Sequence, residues 1–293
     1  MGALYDRNYY DDKTIESGQP LQFARIGYNT ILSEQSVTAS TSVAGFEASA
    51  MGNAFTYELW KPSVLPATIN IDAGTQATVD YMAFGAHSLD GCEVILYSSP
   101  NGIDYTERRQ AIIDSRSAAM FLFTPVMARY WRIEILGWAV ESTLSLDFIN
   151  QVYQAGNYQA GATGGAYVGL LYLGRALAMQ RGIYQGHTPG TLSPQVEIQP
   201  SKSEGGQWLG RSVVRRGYAT DYSWKNLKAD WVRAELKPFM TAAITTPFFI
   251  AWHPEEYADE VLMGWVDKPI IPSNTGPRDY MSVSFSVTAH GAD

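Results

Sequence analysis

Charge is scarce in this sequence. Asp, Glu, Lys and Arg make up 17% of its 293 residues, and 29 carboxylates outweigh 21 basic side chains for a net charge of −8. A nucleic-acid binder needs clustered Lys and Arg to neutralise phosphates, so this balance argues against one; the short run from Arg211 to Arg216 is the local exception. Cysteine occurs once, as Cys92, which excludes an intrachain disulfide and any multi-thiolate metal site. Beside a strand, it reads as a small buried hydrophobe rather than a nucleophile. No run of 18 apolar residues exists, so no helical membrane span is expected. The opening MGALYDRNYYDDKT carries acidic and polar residues where a signal peptide needs an apolar core, which predicts a protein made and used without secretion. Met1-Gly2 does not continue into a myristoylation signal. A nucleophile elbow, a zinc motif and a dinucleotide fingerprint are all missing. The glycines at 161 to 165 lack the Lys-Ser/Thr of a phosphate loop. The expectation is a protein that is not an enzyme and has no cofactor and no metal.

Apolar and aromatic material is plentiful, at 46% and 13%. Large cores combined with so little charge predict that some surface is shared with partners, and the length suggests two domains. The centre of the first half runs from Asp80 to Ile135. Val79 to Phe84 reads as a buried strand leading to the turn Ser88-Leu89-Asp90-Gly91. Glu93 to Ser98 is a second strand, stopped by Ser99-Pro100-Asn101-Gly102, where Asn-Gly tolerates positive φ. Arg129 to Ile135 alternates, with Trp131, Ile133 and Ile135 on one face and Arg132 and Glu134 on the other. Upstream, Pro62 and Pro66 punctuate the chain before Thr68 to Asp72 resumes alternation.

Ser99, Asn101, Gly102 and Tyr105, followed by Ala128-Arg129-Tyr130-Trp131-Arg132-Ile133, resemble the discoidin family of galactose-binding-like jelly rolls. Trp60, Pro62, Pro66, Ala67, Ile69, Ile71, Asp72 and Gly74 extend the resemblance. It implies a β-sandwich from Phe23 to about Asn150, opening with strands at Phe23 to Leu32 and Ser36 to Ser40 and closing with Thr143 to Phe148. The ligand is not implied, because binding loops vary on one fold.

The expected organisation is an N-terminal arm at 1–22, rich in tyrosine; a jelly roll at 23–152; a Gly-rich linker at 153–165; and a smaller α+β domain at 166–293. In the last, Ser223 to Lys237 reads as a helix, with Ser223 as N-cap, Trp224, Leu227, Trp231 and Ala234 at helical spacing, and Pro238 as its end. Thr246 to Trp252 and Val261 to Val266 read as buried strands. Met281 to Val287 alternates apolar residues with serines. The set Trp224, Leu227, Trp231-Val232-Arg233, Pro247-Phe248-Phe249, Trp252, Pro254, Tyr257, Glu260-Val261, Gly264-Trp265, Asn274, Gly276, Arg278-Asp279 and Met281 to Phe285 resembles C-terminal regions of tail proteins from long-tailed bacteriophages. The departure from that family is a jelly roll placed N-terminal to the ring-forming part rather than after or inside it.

For sugar contact the candidates by residue type are Tyr57, Trp60, His87, Tyr105, Arg108 and Arg109, since aromatic faces stack on sugar C–H surfaces and Arg offers a hydrogen-bonding fork. Trp60 and Tyr105 also match structural positions of the jelly-roll family. Asp72, Asp80, Asp90 and Asp104 lie near turns, where calcium ligands occur. His187 and His253 lack partners at ligand spacing and read as structural loop residues. Arg211, Arg215 and Arg216 against Glu255, Glu256, Asp259 and Glu260 are the candidate subunit interface.

Together these features predict a mainly β, non-enzymatic structural protein of a phage tail tip or baseplate, linking the tail tube to the adsorption apparatus within the virion. Its expected partners are tube, hub and fibre proteins, and a homo-oligomeric ring, hexameric or else trimeric. The alternative of a different class is a carbohydrate-binding adsorption protein, with a host-surface glycan as partner and the C-terminal half as its attachment module.

Overall fold

Alternation of apolar and polar residues dominates the chain, and the computed structural model turns it almost entirely into antiparallel strands. The structure describes residues 21–113, 118–138, 165–183, 186–276 and 279–290. The chain divides into a unit of residues 30–175 and a second unit built from the segments on either side of it. The mainly β class expected from the sequence holds.

The first strand, β1 (Arg25–Gly27), belongs to the second unit. The first unit begins with β2 (Val37–Ala39) and continues with β3 (Ala67–His87), β4 (Cys92–Ser99), β5 (Thr106–Ile112), β6 (Ala119–Trp138) and β7 (Val168–Gly174). The sheet order is β2-β3-β6-β4-β5, with β7 on β3. Strands β3 and β6 are long and interrupted by bulges between Asp72 and Ala77 and between Val79 and Tyr81, which bend the paired strands. The bend can be measured. Phe123 and Trp131 lie eight residues apart on β6, which in a straight strand is about 26 Å, yet their ring centroids are 6.5 Å apart. The sheet therefore folds over itself into a sandwich. Its core is the predicted inward set: Ile69, Ile71, Trp131, Ile133 and Ile135 are essentially without solvent exposure, while Asn70, Arg132 and Glu134 stay half-buried on the outer face. Each such apolar side chain contributes about 1.5–3 kcal/mol on burial.

The second unit is an antiparallel sheet of β8 (Leu177–Ala178), β1, β11 (Phe248–Ala251), β12 (Val261–Trp265), β14 (Tyr280–His290), β10 (Trp208–Lys228) and β9 (Pro194–Lys202) in that order, with the short β13 (Ser273–Asn274) on β14. A helix, α1, covers residues 229–242. It places Val232, Leu236 and Phe239, followed by the capping Ala243, in one core with Trp224, Phe248 and Phe285. The Phe239 ring meets Phe248 edge-on at 5.0 Å.

Three expectations are corrected. The helix begins at Ala229, not Ser223, because Ser223 to Lys228 completes β10. Trp224 and Leu227 are buried from a strand; the bulge between them, with Asn226 at φ 58°, gives them helical spacing by accident. Pro238 does not end the helix. It follows a π-helical turn at Val232–Leu236 and stands at the start of the next α-helical segment, where its missing N–H is tolerated. The domain limits also shift. Phe23 to Leu32 does not open the sandwich, since β1 pairs with β11 and β8; and 166–293 is not wholly the second domain, since β7 pairs with β3 from Tyr81 to His87. The expected strand Thr143 to Phe148, the linker except Gly165 and most of the N-terminal arm fall outside the described residues.

The sandwich unit is thus an insertion within the other unit's chain. Its inbound and outbound segments are tied together by hydrogen bonds from the Ile31 N–H to the Leu173 carbonyl at 2.8 Å and from the Leu173 N–H to the Thr30 hydroxyl at 3.2 Å. On the other side of the junction Arg25 pairs with Ala178. Closely spaced ends are what let an inserted unit fold by itself. Excising residues 30–175 and bridging Asn29 to Ala176 with a short Gly-Ser link is expected to leave a cooperatively unfolding protein, and residues 30–175 alone to fold as well. A fragment ending at Asn150 lacks β7 and is expected to lose cooperativity. Thermal denaturation followed by circular dichroism checks all three; aggregation of both excised parts would contradict the two-unit reading.

Candidate functional site

Among its described residues, the sandwich carries its exposed aromatic side chains on a loop, not on its sheet faces. After a 3-10 turn at Ala48–Gly52, the chain makes an Asx turn: the Asn53 Oδ1 accepts the Phe55 N–H at 2.9 Å, and the Asn53 amide donates to Glu58 Oε2 at 2.6 Å and to Glu34 Oε1 at 3.4 Å. The loop is clamped at both ends. A Cβ on Gly52 would lie 2.3 Å from the Ser33 and Glu34 backbone, so only glycine fits there, and the Thr56 carbonyl sits 3.0 Å from the place a Gly169 Cβ would take on β7. Held this way, Phe55 and Tyr57 stack on each other at 5.4 Å with 29° between their planes. They remain 52% and 74% exposed. The loop thus combines a stacked, exposed aromatic pair with two carboxylates bridged by the Asn53 amide, groups that offer C–H stacking and hydroxyl acceptors.

The structure separates the six sugar-contact candidates. Tyr57 belongs to this aromatic pair. Trp60 and His87 flank Val168 by backbone pairing and are both buried. Trp60 has no exposure, and its indole N–H donates to the Thr41 carbonyl and Ser42 hydroxyl at 3.1 Å each. His87 accepts the Leu89 N–H at 3.2 Å and packs edge-on against Phe84. Tyr105 and Arg108 are each engaged by a neighbouring side chain. Arg132 covers the Tyr105 ring at 3.9 Å while donating to Asn70, and the Arg108 Nε donates to Ser98 at 2.7 Å. Arg109 is buried. Phe55 escaped the sequence reading. The signal was present in Asn53-Ala54-Phe55-Thr56-Tyr57, two aromatics at a spacing of two in a turn-forming segment with no strand pattern to bury them.

Other titratable groups are committed to structure. Asp72 takes two hydrogen bonds from Arg129, at 2.6 and 2.8 Å, and one from the Gly74 N–H; these hold its carboxyl down at about 2. Asp104 accepts from the Asn101 amide. Among the described residues no three His, Cys, Asp or Glu side chains converge on a metal position. Burial, reinforced by Asp90, pushes the Cys92 thiol up to about 12, which suits a core residue.

In the second unit His187 stands 4.8 Å from the Tyr222 ring and 5.2 Å from Trp252. Trp252 also stacks on Tyr257 at 5.1 Å and donates to Glu260. His187 Nδ1 faces the Asp221 carbonyl at 3.0 Å, and its buried Nε2 has no hydrogen-bond partner among the described residues. Burial lowers its pKa, against smaller upward pulls from the Asp221 carbonyl and Glu260. The residues of the candidate interface fall on two elements: Arg211, Arg215 and Arg216 on β10, and Glu255, Glu256, Asp259 and Glu260 on the turn between β11 and β12.

Comparison with known proteins gives structural likenesses only. No protein-family model matches the sequence, and a search of curated proteins returned no match. Among solved structures, chitosan-binding module 1 of a chitosanase/glucanase from Paenibacillus sp. IK-5 is similar over 50% of this chain and 98% of its own, at 17% identity and a TM-score of 0.37. Chitosan-binding module 2 of that enzyme, in complex with chitotriose, is similar over 50% and 99%, at 12% identity and a TM-score of 0.38. A CBM32 module from Clostridium perfringens, in complex with GalNAc-β-1,3-galactose, is similar over 47% and 94%, at 14% identity and a TM-score of 0.36.

Two outcomes follow from these placements. Trp60→Ala is expected to cost about 3–5 kcal/mol of sandwich stability, whereas Tyr57→Ala stays within about 0.5 kcal/mol; urea denaturation distinguishes them. His187 is neutral in the fold, with its pKa below the ordinary 6.5. Its contribution is therefore complete above pH 6.5 and is lost as pH falls through the lowered folded value. Melting of the second unit is expected to weaken on acidification over that window, and His187→Phe to flatten the change.

Proposed function

We propose that this chain is a tail-tip protein of a long-tailed phage that recognises a neutral or amino sugar on the host surface through its sandwich unit, with the second unit as its attachment module. The observation that carries the recognition half is the clamped, exposed Phe55–Tyr57 pair. Pyranose rings present flat C–H faces to such surfaces, and Glu34 and Glu58 accept hydroxyl or ammonium protons while disfavouring acidic sugars by like charge. Support for the attachment half comes from the resemblance carried by Trp224 to Phe285 and from the insertion of the sandwich at residue 30. The tail resemblance allows for an inserted domain, which removes the departure seen in the sequence. On this reading the protein acts in the virion, in a ring of six copies or else three, and binds glycans without cleaving them.

A structural linker with an inert sandwich is the second reading, favoured by the large uncovered strand surface of the second unit. Glycan-array screening followed by titration calorimetry separates the two. The expected result is binding of a neutral or amino glycan without product release. Affinity should fall at least about tenfold, or 1.4 kcal/mol, in Tyr57→Ala and Phe55→Ala, and stay unchanged in Arg132→Ala. No binding to any glycan, or full binding by the Phe55→Ala/Tyr57→Ala double variant, would leave the linker reading in its place.

A further inference from the structure

The second unit's sheet runs out into a two-stranded ribbon. Strand β10 pairs with β14 only from Gly217 onward, so from Trp208 to Arg216 its described partner is β9 alone. Every residue of β9 is exposed. The register shows that the ribbon has two unlike faces. Ile198 lies opposite Val213, Pro200 opposite Arg211 and Val196 opposite Arg216, which puts four apolar side chains and two guanidinium groups on one face; Gln199 opposite Ser212 belongs to the other. Val196, Ile198 and Val213 are each more than 40% exposed. At the foot of this face is a hollow of about 520 Å³ whose walls include Val196, Arg216, Tyr218 and Trp265.

The complementary surface is on the same chain at the far end of the sheet. The turn between β11 and β12 exposes Glu255, Glu256 and Asp259 around Tyr257, an aromatic ring 39% exposed. The turn precedes Val261, whereas the hollow adjoins Trp265 at the other end of β12, about 13 Å further along the strand. A chain cannot easily bring its own turn to its own ribbon foot. A second copy can. Two different, complementary patches at opposite ends of one unit define a heterologous contact, the kind that closes rings. Edge-to-edge sheet extension is disfavoured, because Pro194 and Pro200 remove donors from β9.

We infer that the apolar, basic face of the β9–β10 ribbon receives the acidic turn Glu255–Glu260 of a second copy, Tyr257 entering the hollow and the carboxylates meeting Arg211 and Arg216. This rests on the attachment half of the proposed function and is independent of its glycan half. Opposite charge orients docking, while apolar burial holds it.

The test is sedimentation velocity and native mass spectrometry on the full chain. The wild type is expected to form a concentration-dependent closed oligomer. Ile198→Lys/Val213→Lys, both exposed, should abolish it without lowering the melting temperature. Reversing Arg211 and Arg216 to Glu should weaken assembly at least tenfold, and adding Glu255→Arg/Glu256→Arg/Asp259→Arg should restore it, since sign reversal on both patches keeps them complementary whatever the exact pairing. A wild type that stays monomeric up to its solubility limit overturns the inference. So does an oligomer indifferent to the Ile198/Val213 change, or a failure of the second set of reversals to rescue the first. Glycan binding, measured on the same samples, should be equal in wild type and interface variants, so a failure here is distinguishable from a failure of sugar recognition.

Discussion

Three residues hold the architecture together. Arg25, Ile26 and Gly27 form β1, which lies between β8 and β11, so a strand from the start of the described chain completes a sheet whose other members come after residue 176. Ile26 is without solvent exposure in the core that also contains Phe248, Phe285 and Trp224. Once that pairing forms, residues 30–175 must leave and return within one junction, and Thr30 and Leu173 bond to each other where they do. The sandwich is therefore carried as a self-contained insertion, free to vary its loops without disturbing the sheet that carries it.

That division also explains where charge and aromatic surface are found. Low overall charge puts large apolar areas on strands, and most are covered: Trp60, Trp131 and Trp224 have no exposure. What stays uncovered is local. One place is the Phe55–Tyr57 loop of the sandwich, fixed by a glycine that admits no Cβ and an asparagine that bridges two glutamates. Another is the β9–β10 ribbon, which has one apolar face and two prolines, Pro194 and Pro200, on its outer strand. The two arginines that residue type offered as recognition groups are tied into the sandwich: Arg108 donates its Nε to Ser98 and Arg109 is buried, while Arg129 and Arg132 likewise donate to Asp72 and Asn70.

Much of this was legible in the sequence wherever burial imposed a period. Trp131, Ile133 and Ile135, like Val283, Phe285 and Val287, were read inward from strict alternation and lie inward. Reading failed where geometry broke the period. The bulge at Lys225 and Asn226 put Trp224 and Leu227 three apart on a strand, imitating a helix, and the π turn before Pro238 let a helix continue through a residue that ordinarily stops one. β1 was assigned to the wrong sheet because three residues carry no information about which distant strands they pair with. Tyr57 was found by residue type, but so were Trp60 and His87, which the core absorbs; type alone cannot separate a ring that stacks on a ligand from one that fills a cavity. Phe55 became visible only when the loop showed it exposed.

The most direct test of the account is native-state hydrogen exchange on the full chain, resolved to single amides. If the sandwich is an insertion, Ile26 and Gly27 should share the opening free energy of Phe249, Ile250 and Val261. Ile69, Leu96, Ile133 and Leu171 should open together with a different one, and the division should fall at residues 30 and 175. Protection of Ile26 and Gly27 that follows Ile69 and Ile133 instead, or a single opening energy across all of these amides, would contradict it.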